Sequence, residues 1–94
     1  MDINSLVKLA KSLSDPTRLR LLHEIAQRSQ MGCADLFEFV PISQPSMSQH
    51  VKALVEAGLV ESHKQGRQLF LTVNQAKLHE LESFLQLLKV QKTT

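Results

Sequence analysis

Four polar side chains in one short stretch have the chemistry needed to contact the edges of DNA bases. They are Gln44, Ser46, Ser48 and Gln49, and Lys52 adds one cation behind them. A Gln amide donates and accepts hydrogen bonds in one plane, and a Ser hydroxyl does either, so both suit the donor and acceptor pattern of base edges. A face that only meets water would be rich in Lys and Glu. We interpret this stretch as a candidate recognition helix.

The same stretch carries the apolar face that would hold such a helix against a core. At 100° per residue, Met47, Val51, Leu54 and Val55 fall in one arc, and Gln49 lies at the centre of the opposite arc. His50 lies between the two arcs and is interpreted as half-buried packing. The open alternative is a plain amphipathic helix whose polar face meets only water.

Signals at both ends place this helix in a helix-turn-helix unit. Ser43 is a good N-cap, and Gly58 can take the left-handed position after the last turn. A short helix is predicted over about 33–40, and Pro41 ends it because the residue before a proline is pushed out of the helical region. Two helices joined by so short a turn predict a helix-turn-helix over about 33–57.

A β-hairpin with cations at its tip is predicted directly after this unit, over about 59–73. Gly66 suits a turn that needs positive φ. Lys64, Gln65 and Arg67 surround it, which predicts a wing that contacts phosphate or the minor groove. The alternative is a capping hairpin whose charges keep its edge from aggregating.

The two terminal helices, over about 3–13 and 75–90, carry more leucine than a domain of this size can bury. The last helix has leucines at 3-4-3 spacing, and small domains often gain stability by association. A two-fold interface is therefore predicted. Its residues are Leu6, Leu78, Leu81, Leu85 and Leu88. The alternative is that both helices simply pack on the core of one monomer.

A further helix begins at the Asp15-Pro16 cap, and residues 30–32 break it. Its inward-facing side chains are predicted to be Leu19, Leu22, Ile25 and Ala26. The whole chain, 1–94, is thus predicted to be one winged helix-turn-helix domain. Its fold class is mainly α with a small β-hairpin, in the order α-α-α-α-β-β-α.

Composition excludes several classes of protein. The 94 residues are 43% hydrophobic, enough for one domain, and the net charge is only +2, so DNA binding must depend on where the cations lie. One cysteine excludes an intramolecular disulfide and fits a reducing cytoplasm. No apolar run is long enough for a membrane span, so no membrane partner is expected. No catalytic signature is present, and an enzyme is not expected.

Four segments resemble the ArsR-type (ArsR/SmtB-like) winged-helix family. They are Leu13–Leu22, Ser43–Leu54, Ala57–Val60 and Gln65–Arg67, within about residues 5–74. The resemblance implies a homodimeric bacterial repressor that binds an inverted-repeat operator in double-stranded DNA and leaves it when a signal arrives. Carried over by position, it implies base contacts from Gln44, Ser46, Ser48 and Gln49. It also implies wing contacts from Lys64, Gln65 and Arg67.

The signal-sensing residues depart from that family's pattern. Members with an arsenic or cadmium site carry two cysteines just before the Asp-Leu pair of the third helix, whereas Met31–Leu36 holds only Cys33. We interpret Cys33 as buried packing, with redox sensing as the alternative. Zinc-sensing members carry ligands on the last helix, where His79 and Glu82 lack a third partner. We predict no metal or cofactor and a signal other than a metal; the inducer is not identified.

A different class of function stays open, that of a winged-helix protein-interaction module without DNA binding. Such a docking face would present apolar anchors. The amides, hydroxyls and cations of this chain favour DNA instead.

Overall fold

The computed structural model describes residues 2–28 and 30–89 as five helices and three strands. In chain order they are α1 (Ile3–Ser12), α2 (Pro16–Ala26), β1 (Met31–Gly32), α3 (Leu36–Phe39), α4 (Gln44–Glu56), β2 (Val60–Gln65), β3 (Gln68–Val73) and α5 (Gln75–Leu88). This is a winged helix-turn-helix, so the predicted fold class is confirmed. The predicted end of the last helix, residue 90, lies outside the described residues.

The sheet has one more strand than predicted. Residues 30–32 are not helical, as predicted, but they also contain a strand that the sequence did not predict, because β1 pairs antiparallel with β3 and gives the order β1-β3-β2. Met31 lies opposite Leu71, and Gly32 lies opposite Phe70. The helix predicted over 33–40 is also divided, since a 3₁₀ turn at Cys33–Asp35 precedes the short α3.

A single apolar core holds α4 in place. Met47, Val51 and Leu54 of α4 are buried with side chains from α1, α2, α3 and all three strands. The predicted inward face of α2 is partly wrong, since Leu19 is 47% exposed whereas Leu21 is fully buried. Ala26 is exposed as well, and Ile25 is buried as predicted.

Both ends of α4 are fixed as predicted. The Ser46 backbone N–H donates to the Ser43 hydroxyl at 3.3 Å, which satisfies one free amide of the first turn. At the other end the Leu59 N–H donates to the Leu54 carbonyl at 3.1 Å, and Gly58 has a φ of 84°. This is the Schellman arrangement, in which glycine avoids the steric cost of the left-handed region. The helix that carries the candidate site therefore has a fixed start, end and buried face.

The last helix, α5, is fastened to the hairpin at its start. Asn74 donates its backbone N–H to the Leu59 carbonyl at 2.8 Å, and its side chain accepts from the Lys77 N–H at 3.1 Å. Beyond this cap, α5 contributes no fully buried residue, although Leu81 packs against the core. In the part of the chain that the structure describes, no helix is both long and apolar enough to cross a membrane.

Candidate nucleic-acid interface

The outward face of α4 presents most of the predicted base-reading side chains to solvent. Gln44, Ser48, Gln49 and Lys52 are exposed, and Ser46 is half-buried. The opposite face is anchored in the core, so these polar groups project from a rigid element. A polar helix face that projects from the core is an arrangement suited to direct contact with base edges.

A groove of about 340 Å³ separates the first turns of α4 from the wing tip. Gln44 and Ser48 line it from the helix, and Arg67 lines it from the hairpin. The fold thus brings together three of the predicted DNA-contacting residues, although 19 positions separate the last two in sequence. Residues 32–35, Phe37, Met47, Gln68 and Leu69 form the rest of the lining, in which Asp35 is the one acidic residue.

The wing tip is a two-residue turn. Gln65 pairs with Gln68, so Gly66 and Arg67 are the turn residues. Gly66 has a φ of 63°, whereas the φ of Arg67 is not positive. This combination is the pattern of a type II′ turn. Lys64, Gln65 and Arg67 are all exposed. The turn therefore presents two cations beside the recognition helix.

Sequence reasoning missed a contact between the recognition helix and the start of α2. His50 has a side chain only 20% exposed, which agrees with its interpretation as half-buried packing. Its Nδ1 atom is buried without a hydrogen-bond partner among the described residues and lies 3.9 Å from Oδ1 of Asp15. Asp15 also caps α2, accepting from the Thr17 N–H at 2.8 Å and the Arg18 N–H at 3.1 Å.

Hydrogen bonding lowers the pKa of Asp15. The bond from the Arg18 backbone N–H lowers it most; the Thr17 bond and the charges of His50 and Arg18 act in the same direction, while desolvation opposes them. Because the folded-state pKa lies below the unfolded value, this carboxylate stabilises the fold above its ordinary pKa of about 3.9. That stabilisation disappears as the pH falls through the folded-state pKa.

We therefore expect Asp15→Asn to make the free energy of unfolding less dependent on pH in the acid range. Urea unfolding at pH values between about 2 and 6 measures this effect. Asp2→Asn is the matched control, since the Asp2 side chain makes no cap hydrogen bond. Identical pH profiles for wild type and Asp15→Asn would contradict the assignment.

The thiol and the metal-site candidates do not form a metal centre in the described residues. Cys33 is half-buried and packs against the core, and burial raises the pKa of its thiol. His79 and Glu82 are both exposed on α5. Between residues 2 and 89, Ser29 apart, no three His, Cys, Asp or Glu side chains are placed to hold one ion.

The terminal helices carry most of the exposed apolar surface. Of the eight large apolar side chains that the described residues expose, six lie on α1 or α5: Ile3, Val7, Leu78, Leu85, Leu87 and Leu88. Leu6 is half-buried and borders an open cavity of about 350 Å³ between the two helices. Leu81 differs from the other predicted interface residues, because it packs against the core.

Known proteins share both this sequence pattern and this fold. A family model described as a helix-turn-helix domain matches residues 13–63. The probable mercury resistance operon repressor of Streptomyces lividans is 37% identical over 76% of this chain; the match spans 56% of that relative, just over half its length. The arsenical resistance operon repressor of Staphylococcus xylosus is 32% identical over 94% of this chain and 84% of its own.

The fold comparison agrees with the sequence comparison. An ArsR-like transcriptional regulator from Rhodococcus sp. RHA1 superimposes with a TM-score of 0.81 and 30% identity, over 89% of this chain and 78% of that one. The chain belongs to the ArsR-type family of helix-turn-helix transcriptional repressors, which are DNA-binding regulators and not enzymes.

Proposed function

We propose that this protein is a homodimeric repressor that binds an inverted-repeat operator in double-stranded DNA. The observation that carries the proposal is the groove bordered by Gln44 and Ser48 of α4 and by Arg67 of the wing. A helix face of amides and hydroxyls beside a cationic hairpin tip suits a major groove and its adjacent phosphates. Such a regulator acts on chromosomal DNA, so we place it in the cytoplasm.

The two parts of the site have different tasks in this proposal. Gln49, with Gln44, Ser46 and Ser48, contacts base edges, because amides and hydroxyls form the hydrogen bonds that distinguish base pairs. Lys64 and Arg67 contact phosphates, which hold the protein on any sequence. Gln65 lies at the same turn, and Lys52 lies on the outward face of α4. The wing cations thus provide affinity for any DNA, and the amides and hydroxyls of α4 provide selectivity for its sequence.

The dimer is the second part of the proposal. The exposed apolar side chains of α1 and α5 are covered by the same surface of a second copy, which makes a two-fold interface. Leu78, Leu85 and Leu88 contribute most directly because they are exposed, while Leu6 borders the cavity between α1 and α5 and Leu81 packs against the core. Two-fold symmetry then places two α4 helices in successive major grooves, with half-sites roughly 34–36 Å apart.

The releasing signal in this proposal is not a metal. Two relatives are named for mercury and arsenical resistance operons, but this chain has one thiol and no described cluster of three ligands. We therefore expect the inducer to act by a chemistry other than metal coordination.

A gel shift tests the proposed function directly. The purified chain is mixed with the promoter of its own operon and with a random duplex, and the assay is repeated with metals, oxidants and small molecules. We expect selective binding to the promoter and release by a non-metal agent. If the chain binds no DNA but captures a protein through the α4 and wing surface, the interaction-module alternative replaces this proposal.

We expect Cys33→Ser to leave DNA binding unchanged and to create no response to metals. The reason is that Cys33 packs against the core and lacks partner ligands in the described structure. Because Cys33 is half-buried, a Ser hydroxyl there that lacks a hydrogen-bond partner costs at most about 1–3 kcal/mol of stability, so Cys33→Ala serves as the control for folding.

Two results would contradict this reading of the thiol. One is tight stoichiometric zinc that releases the operator from the wild-type protein but not from the Cys33→Ser variant. The other is a Cys33–Cys33 disulfide between two chains that abolishes binding.

A further inference from the structure

A second, basic cavity lies between α1, α2 and the C-terminal half of α4. Its volume is about 280 Å³, and three cations line it: Lys8, Lys11 and Arg18. Glu56 is the one acidic residue of the lining, so the side chains that line the cavity carry a formal charge of +2. Three cations against one carboxylate make the cavity basic, a feature that favours an anionic ligand.

One of the three cations is held in place by the protein itself. Arg18 donates from Nε to the Ser12 carbonyl at 2.9 Å and from Nη2 to the Lys11 carbonyl at 3.2 Å. These bonds cap the last turn of α1 and fix that turn beside α2. Lys8 and Lys11 are exposed, and neither takes part in the salt bridges found among the described residues. Their ammonium groups are therefore available to a ligand.

The position of the cavity beside α4 favours a DNA phosphate as its ligand. At about 100° per residue, Ser48 and Ala53 lie on opposite sides of Gln49. Ser48 lines the groove beside the wing, and Ala53 lines the basic cavity. A helix in the major groove, about 12 Å wide, has a sugar-phosphate strand on each side. With α4 in a major groove and the wing beside one strand, the Ala53 edge of the basic cavity is the part nearest the other strand.

We propose that Lys8 and Lys11 bind backbone phosphates of the DNA strand on the side of α4 away from the wing. Each half-site is then held from both sides of the recognition helix. This inference rests on the proposed DNA binding, and it adds α1 to the interface. Glu56 opposes the contact; it pairs with Lys52 at 3.9 Å, but both side chains are well exposed, so that pair is weak.

Salt-dependent binding to a random-sequence duplex tests the inference without knowledge of the operator. Log affinity falls as log salt rises, and we expect Lys8→Gln and Lys11→Gln each to make this slope shallower by about one unit per subunit. Lys8→Arg and Lys11→Arg should keep the wild-type slope, and Glu56→Gln should strengthen binding. Lys89→Gln, at the end of α5, is the control with the same charge change and should keep the wild-type slope.

The outcomes separate this inference from the proposed function. If the wild type binds the duplex but both Gln variants behave like Lys89→Gln, the phosphate contacts are refuted and the DNA-binding function stands. If the wild type has no salt-dependent affinity for any duplex, the proposed function itself fails, and this inference fails with it. If pyrophosphate binds the wild type and not the Gln variants, while the DNA slopes are equal, the cavity takes a free phosphate compound instead.

Discussion

Replacing Leu85 and Leu88 together by Glu should convert the protein from dimers to monomers and weaken operator binding by about 10²–10⁴-fold. These side chains are 51% and 61% exposed in the single chain and lie on the apolar surface of α5. In the proposed dimer the two carboxylates would be buried without partners, a strongly unfavourable change. A monomer then loses the gain from binding two half-sites at once, which is the source of the expected factor.

The matched control for this pair is Leu19→Glu. Leu19 is 47% exposed but lies on α2, outside the α1 and α5 surface, so the variant should stay dimeric and bind DNA normally. Sedimentation of wild type and variants at micromolar concentration measures the oligomeric state. A monomeric wild-type protein, or a double variant that remains dimeric, would refute the proposed interface.

Replacing Gln49 by Ala should cost about 1–3 kcal/mol on the true operator and little on random DNA. Gln49 lies at the centre of the exposed polar face of α4, where its amide has the geometry to pair with a base edge. The expected loss equals roughly 5- to 150-fold in affinity. Arg67→Ala, at the wing tip, is the contrasting variant. It should weaken binding to all sequences alike and lower the salt slope by about one unit per subunit.

The elements that were predicted correctly are those whose signals are local. Ser43 and Gly58 mark the ends of α4 through cap chemistry, and Gly66 marks the wing turn. β1 could not be found in this way, because two residues show no alternation and the strand exists only through its pairing with Leu71, forty positions later. The face of α2 was misplaced for a related reason: Leu19, Leu21 and Leu22 are all apolar, and only packing against α4 and β3 selects which of them is buried.

The candidate site also has features that the sequence predicts and features that only the fold creates. The polar face of α4 and the cations of the wing were visible in the sequence, but their shared groove exists only in the fold. The basic cavity was missed, because Lys8 and Lys11 are ordinary helix-surface residues until α1 lies beside α4. The contact between His50 and Asp15 was missed for the same reason, since the two residues are 35 positions apart.

The central claim is that α4 reads base sequence while the wing and α1 hold the phosphate backbone. Its most direct test is the affinity of wild type and Gln49→Ala for operator and random duplexes at two salt concentrations. We expect Gln49→Ala to lose about 1–3 kcal/mol of binding free energy on the operator alone, and a similar amount at both salt concentrations. An equal loss on both duplexes, or no loss on either, would contradict the base-reading role of α4.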